Sequence, residues 1–244
     1  MTSPARQAAP LSGEVAVIIP TFNEGESIGA VVTALPREIV GRVIVVDGGS
    51  VDGTREQAFR AGAEVLSVGR GYGLACLAGA EAADTADILV FMDGDGADDP
   101  SAIAELVAPI RSGSYDFVIA SRARGEREPG SMAGHQILAG RLAGALIRLL
   151  YGVRYTDMAA LRALRRDTLL ALGMSELTYG WNLEMQMRVA RAGLRVLELP
   201  VSYRRRSGGQ SKVAGTWSGS LRAGLRIITT FARVATEPRR QHDG

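Results

Sequence analysis

The stretch Asp87-Ile-Leu-Val-Phe-Met-Asp93-Gly-Asp95-Gly-Ala-Asp98-Asp99-Pro100 carries the strongest fold signal in this chain. Ile88 to Met92 is a short continuous apolar run, the pattern of a buried strand. It stops at carboxylates spaced Asp-x-Asp, with small residues between them and Pro100 where it suits the first turn of a helix. Open α/β sheets place their ligands at the carboxyl ends of strands. Asp93 and Asp95 offer hard oxygen donors there, suited to Mg2+ or Mn2+ shared with substrate phosphates. The bland alternative is a polar turn leading into a helix over residues 101–112, with Asp99 as its cap and Asp98 favoured by the helix dipole. These residues alone leave both open. An EF-hand does not fit, because the glycine is misplaced and position twelve would be Ala104.

The segments before this stretch alternate strand and helix with short connections, which predicts a mostly parallel sheet. Residues 14–19 form a first strand ended by Pro20. Thr21-Phe-Asn-Glu24 then leads into a helix to about residue 35, with Thr21 or Asn23 as a candidate cap. Residues 43–47 form a second strand, and the turn from Gly48 through Asp52 to Thr54 opens a helix to about residue 61. Residues 64–68 form a third strand, after which Arg70-Gly71-Tyr72-Gly73-Leu74 opens a helix over 74–83. A dinucleotide fingerprint would follow the first strand and carry a third glycine. Arg70 and the backbone at Gly71 better suit a diphosphate.

Beyond the aspartates, residues 115–120 form a strand ending at Ser121-Arg122, and the polar, glycine-rich residues 123–134 read as a mobile loop. Residues 135–153 have apolar positions at 138, 142, 146, 149 and 150 with Arg141 and Arg148 between, an amphipathic helix. A short strand over 161–164, a helix opened by Tyr179-Gly-Trp-Asn-Leu-Glu184 and running to about 192, and a strand over 194–203 follow; Pro200 marks that last strand as an edge. Arg204 to Lys212, which holds the only lysine, is a basic glycine-rich loop expected to close over phosphates. A helix over 217–234 places Leu221, Leu225 and Ile228 on one face.

Composition narrows the chemistry. The 244 residues, 46% hydrophobic and 22% charged, suit one domain over 14–235, after a disordered leader (1–13) and before a tail (236–244). One cysteine and two histidines exclude a disulfide framework and leave almost no material for a zinc site or a serine–histidine triad. A reducing cytoplasm is compatible with this. Net charge is +2, yet from Val201 onward nine basic residues face two acidic ones. That imbalance points to phosphates, on a substrate or on an anionic membrane surface. Nucleic acid is not expected, since aromatics are few and no recognition motif appears. No apolar run approaches the roughly 20 residues of a spanning helix, so any membrane association is expected to be peripheral.

Four motifs in order, Ile18-Ile-Pro20-Thr-Phe-Asn-Glu24, Val45-Val-Asp47-Gly-Gly-Ser-Val-Asp52-Gly-Thr54, Asp93-Gly-Asp95 and Ser121-Arg122, resemble the family 2 glycosyltransferases of the GT-A fold. Tyr155-Thr-Asp157-Met, Leu161-Arg-Ala-Leu-Arg-Arg, Tyr179-Gly-Trp and Gln210-Ser-Lys212 resemble, within it, the polyprenyl-phosphate sugar transferases of the dolichyl-phosphate mannose synthase type. The resemblance implies a Rossmann-like central sheet with flanking helices and amphipathic helices on the acceptor side. It implies a nucleotide-sugar half (14–122) and an acceptor half (123–235). The implied activity is inverting, Mg2+- or Mn2+-dependent transfer of a hexose from a GDP- or UDP-sugar to a polyprenyl phosphate, at the cytoplasmic face of a membrane. A homodimer is compatible with it.

In that reading Pro20, Thr21, Glu24, Asp47, Arg70, Gly71 and Gly94 bind the donor with Asp93 and Asp95, which hold the metal. Arg122, Arg141, Arg206, Ser211 and Lys212 bind acceptor or donor phosphates. Asp95, Asp157, Arg122 and Arg206 carry the chemistry. The chain departs from the family at Gly48, where a second aspartate is usual, at Ala97, where some members have a metal-binding side chain, and near Gln136-Ile137, where a basic residue is common. If the acceptor is a hydroxyl, Asp157 or Glu184 is the candidate base. The alternatives are the same donor chemistry with a soluble acceptor, a sugar-nucleotide nucleotidyltransferase, whose glycine-rich loop would follow the first strand, and a non-catalytic peripheral membrane protein.

Overall fold

The computed structural model describes residues 13–208 and 217–237. Seven strands form one sheet in the order β3-β2-β1-β4-β6-β5-β7. These are β1 (Val15–Thr21), β2 (Arg42–Asp47), β3 (Glu64–Ser67), β4 (Ile88–Phe91), β5 (Phe117–Ser121), β6 (Arg162–Arg165) and β7 (Val196–Pro200). β1 pairs parallel with β2 and β4, β2 with β3, and β5 with β7; β6 alone runs antiparallel, between β4 and β5. The expected mostly parallel sheet is therefore present. β1, β4 and β5 are buried along their whole length, which is why their sequences are continuous apolar runs. Because β6 separates β4 from β5, those two strands point the same way and deliver their carboxyl ends, with Asp93 and Arg122, to one edge of the sheet.

The helices are α1 (Ile28–Thr33), α2 (Thr54–Arg60), α3 (Tyr72–Ala82), α4 (Ile103–Arg111), α5 (Gly134–Tyr151), α6 (Arg166–Leu172), α7 (Trp181–Arg191) and α8 (Trp217–Thr236). α1 starts later than the sequence suggested, and neither Thr21 nor Asn23 caps it. Asn23 sits at φ 52°, and its side-chain oxygen accepts from the Val51 N–H at 3.0 Å. Asp99 does cap its short 3-10 turn, accepting from Ser101 N at 3.1 Å before Pro100. β7 lies at the edge, where a proline costs no ladder bond. α6 was not foreseen: it follows β6 directly, and Leu169 and Leu172 bury its inner face.

The glycines around Tyr72 serve packing. A Cβ at Gly73 would lie 2.1 Å from the Glu176 carbonyl oxygen, and one at Gly71 would lie 2.6 Å from that of Leu177. Leu74 N donates to the same Leu177 carbonyl at 3.0 Å. The start of α3 is thus seated against residues 176–177, so these two glycines are required by a close approach of chain to chain. α8 is fastened to α7: Thr230 and Val234 are buried, and Arg191 donates to the Val234 carbonyl at 2.9 Å. Among the described residues no helix is long and apolar enough to cross a membrane. Gln210, Ser211 and Lys212 lie outside the described residues.

Gly73→Ala is expected to push residues 176–177 off α3. Overpacking of this kind costs about 1–3 kcal/mol, a fall of roughly 3–10 °C in Tm for a domain of this size. A wild-type Tm in the variant would show that the contact gives way freely.

Candidate active site

The first two motif loops are stitched together by their own polar side chains. Asn23 N donates to Ser50 Oγ at 2.8 Å, Glu24 N to Thr54 Oγ1 at 2.9 Å and Gly25 N to Asp52 Oδ2 at 2.9 Å. Asp47 is fully buried; one oxygen accepts from Gly49 N (3.0 Å) and Ser50 N (2.9 Å), and the other from the Ser50 hydroxyl. Arg55 Nε stands 3.9 Å away from it. Pro20 and Thr21 end β1 in register with Val46 and Asp47. Arg70 stacks over the Phe22 ring with its guanidinium carbon 4.0 Å from the centroid. Pro20, Thr21, Glu24, Asp47 and Arg70 are therefore gathered at the carboxyl ends of the first strands. Gly94 lies beside Thr21, and its carbonyl accepts from Ser27 Oγ at 2.8 Å.

The aspartates come next along the same edge. Asp93 is half-buried and accepts from the Tyr72 hydroxyl at 3.2 Å. Asp95 is buried; Ala97 N donates to Oδ1 at 3.0 Å, and Arg206 Nε stands 3.0 Å from Oδ2. That last contact is an ion pair and not a well-aligned hydrogen bond, so Oδ2 is a buried acceptor without one. Asp98, foreseen as a helix-start residue, is buried in the site, with Oδ2 accepting from Asp93 N at 3.4 Å. Burial and the charge of Asp95 push Asp93 up to about 6, against the pull of Arg206 and Arg122. Burial and the charge of Asp93 push Asp98 up to about 8. Like charges crowded in a poorly solvated place resist ionising together.

This donor set fits a divalent cation. It offers carboxylate oxygens only, one of them lacking a well-aligned hydrogen bond, and their mutual repulsion is what a bound cation relieves. Among the described residues no three acidic, histidine or cysteine side chains are arranged as a complete metal cage. An ion held by Asp93 and Asp95 would complete its shell with substrate and water oxygens.

The basic groups approach from the other half. Tyr203 bridges to Asp98, Arg204 N donates to Ala97 O at 2.9 Å, and Ser207 N donates to Asp95 O at 3.0 Å. The first residues of the expected loop are thus laid along the aspartate turn, which puts Arg206 on Asp95. Arg205 turns away, to Pro129 O at 2.7 Å.

Arg122 and Asp157 form a two-pronged pair: Nε to Oδ2 and an NH2 group to Oδ1, both at 2.8 Å, with Arg122 N also donating to Oδ2 at 2.9 Å. Burial pushes Asp157 up, but hydrogen bonds and charge from Arg122 outweigh it, so the carboxyl sits below its ordinary range. Asp157 thus holds Arg122 and is a weak proton acceptor. Glu184 is fully buried in a different network. It accepts from Ser175 N, Glu176 N, Arg188 Nε and Arg233, the last two at 2.9 and 3.0 Å. Its pairing with Arg188 one turn on fits a structural role. Arg141 is exposed on α5, one residue from Gly140, which packs near Asp157.

Three further residues escaped the sequence. Glu198 of β7 accepts from Thr156 N and Thr156 Oγ1, both at 2.8 Å, and from Asp157 N at 3.3 Å, so it shapes the turn that carries Asp157. Tyr72 donates to Asp93, and Arg162 lies opposite Phe91, two residues before Asp93. Tyr72 and Arg162 were quoted inside motifs, but spacing alone could not show which way they point.

A carboxyl whose pKa folding raises binds its proton more tightly in the folded state. Its stabilising effect is complete below the unfolded value and is lost as pH rises through the folded one. Asp93 and Asp98 should therefore make the metal-free protein less stable between about pH 4 and 8. Mn2+ at one fixed concentration, a hundred times the wild-type Kd at about pH 8, should raise Tm by about 5–10 °C there, by less at about pH 5.5, and by much less in Asp95→Asn. Equal shifts at both pH values, measured by differential scanning fluorimetry, would place the cation elsewhere.

Residues 16–172 match the model of the glycosyl transferase family 2. An uncharacterized glycosyltransferase of Mycobacterium tuberculosis is 39% identical over 226 residues, 90% of this chain and 97% of that protein. An undecaprenyl-phosphate mannosyltransferase of Micrococcus luteus is 35% identical over 222 residues, 82% of this chain and 88% of that protein. Among solved structures, the glucosyl-3-phosphoglycerate synthase of Mycobacterium tuberculosis with Mn2+, UDP-glucose and phosphoglyceric acid superimposes with a TM-score of 0.72 at 22% identity, over 93% of this chain and 81% of that one. At that identity the likeness carries the fold.

Proposed function

The chain belongs to glycosyl transferase family 2, and on that premise we propose that it transfers a hexose, with inversion, from a GDP- or UDP-sugar to a polyprenyl phosphate at the cytoplasmic face of a membrane. The observation that carries the acceptor is α5. Its small residues face the domain: a Cβ at Gly144 would lie 2.1 Å from the Tyr155 carbonyl oxygen, and Ala143 and Ile147 are buried. Its leucines face out, with Leu138 67%, Leu142 60% and Leu149 80% exposed, and Arg141 and Arg148 are exposed beside them. A helix that turns leucines and arginines to solvent directly behind the Asp157 turn suits a membrane interface. The Micrococcus luteus relative, named for an undecaprenyl-phosphate acceptor, supports the same choice.

The chain's own groups divide the work. Pro20, Thr21, Glu24 and Asp47 shape the seat for base and ribose, with Arg70 on Phe22 beside it. Asp93 and Asp95 would hold the divalent cation, which when bound supplies charge to neutralise the leaving diphosphate. Arg206 and Arg122 stand where negative charge grows or arrives, and a fixed guanidinium acts strongly there. A phosphate monoester is already mostly ionised at neutral pH, so the acceptor oxygen needs no base. The low basicity of Asp157 agrees with that. Arg141 extends the basic surface toward the acceptor headgroup, and Ser211 and Lys212 are assigned to the same phosphates.

A panel of nucleotide sugars with Mn2+ or Mg2+ should give a glycolipid only when polyprenyl phosphate is present. Transfer to a soluble phosphorylated acceptor, with none to the lipid, would overturn the acceptor assignment. Asp95→Asn should lower turnover at least about 100-fold with its fold intact by circular dichroism.

The protein should float with anionic vesicles, less so as salt rises. Replacing Leu138, Leu142 and Leu149 together by Ser should abolish flotation without loss of Tm. A triple variant that floats like wild type would remove α5 from the membrane contact.

A further inference from the structure

Asp93 is held differently from the other carboxylates. Asp95 has a backbone N–H and Arg206, and Asp157 has the two-pronged Arg122. Among the described residues, the Asp93 carboxylate takes one hydrogen bond, from the Tyr72 hydroxyl at 3.2 Å. A phenol is a neutral donor: it fixes one oxygen without contributing a charge that would compete with a cation for the other.

Tyr72 is itself fixed from two sides. The glycines on either side of it are seated against Glu176 and Leu177. That turn is pinned in turn, because Glu176 accepts from Thr178 N at 3.0 Å and from Thr230 Oγ1 of α8 at 3.0 Å. Arg162 of β6 is completely buried. Its donors go to the carbonyls of Ala159, Ala160 and Asn182 and to Met185 Sδ, and no carboxylate is among the partners seen in the described residues. A buried cation needs counter-charge. The groups within its electrostatic reach are Tyr72, Cys76, Asp93 and Tyr155. Arg162 also lies opposite Phe91 in the β4–β6 register, two positions before Asp93.

We propose that Tyr72 is the positioning residue for Asp93, and that its hydroxyl holds the carboxylate in the rotamer that receives a divalent cation together with the donor diphosphate. This rests on the metal-dependent transfer proposed above. Orienting partners of metal ligands are worth about 10–100-fold in metal affinity.

The test is calorimetric titration of Mn2+ with UDP, and separately with GDP, into wild type and Tyr72→Phe. The variant should bind the better nucleotide with Mn2+ about tenfold more weakly, while the Tm of the metal-free protein stays at the wild-type value. Mn2+ addition should also perturb the near-ultraviolet tyrosine absorbance of wild type and not of the variant. Wild-type affinity in Tyr72→Phe would overturn the inference and leave the transferase assignment standing. A large fall in its metal-free Tm would show the hydroxyl to be structural and would overturn it too. Absence of Mn2+–nucleotide binding in wild type would remove the proposed function, and the inference with it.

Discussion

Three carboxylates crowded at the end of a buried strand are the constraint on which the rest of this site depends. Asp93, Asp95 and Asp98 follow β4 within seven residues, and burial raises the cost of ionising them together. The surrounding structure answers that cost with groups brought from far along the chain. Arg206 reaches Asp95 because residues 204–207 are hydrogen-bonded along the aspartate turn. Arg122 is aimed by Asp157, and the turn that carries Asp157 is shaped by Glu198. Each charge near the centre thus has a second group that fixes it, and the second group is spent on that task.

The polar motif residues therefore fall into two kinds. Asn23, Asp47, Ser50, Asp52 and Thr54 turn their side chains onto backbone N–H groups or one another and set the shape of the first two motif loops. Asp93, Asp95, Asp98, Arg122 and Arg206 meet at the edge where a charged ligand would arrive. Glu184 belongs with the first kind: it takes its donors from the 175–176 turn, α7 and α8 and is remote in role from the aspartates. A carboxylate beside an aromatic motif can look catalytic in sequence while its oxygens are fully engaged in holding helices together.

The polarity of α5 is arranged the other way round from that of an ordinary surface helix. Such a helix buries its large apolar side chains. Here Gly140, Ala143 and Gly144 let the helix approach the 155–158 turn closely, and the leucines are left outside. α8 shares the feature at Ile228, which is 66% exposed while Thr230 and Val234 are buried. Close approach on one side leaves an apolar rim on the other, next to the turn that carries Asp157.

Much of this was determined by sequence alone. Buried strands are continuous apolar runs, so β1, β2, β4 and β5 and their parallel order in an α/β sheet could be read directly, as could the aspartates at the end of β4. Asp99 before Pro100 fixed its own cap, because capping is decided within three residues. What depended on long-range contact could not be read. That Gly71 and Gly73 are seated against Glu176 and Leu177 was invisible in the sequence, since a close backbone approach leaves the same mark whether the neighbour is ligand or chain. Asp98 looked like a helix start, because nothing local says that Tyr203 will cover it. Tyr72 and Arg162 carry no signal of direction until β6 is laid antiparallel against β4. Charges and apolar runs are properties of the chain, whereas the partner a charge meets, and the side a leucine faces, are set only when distant segments are packed together.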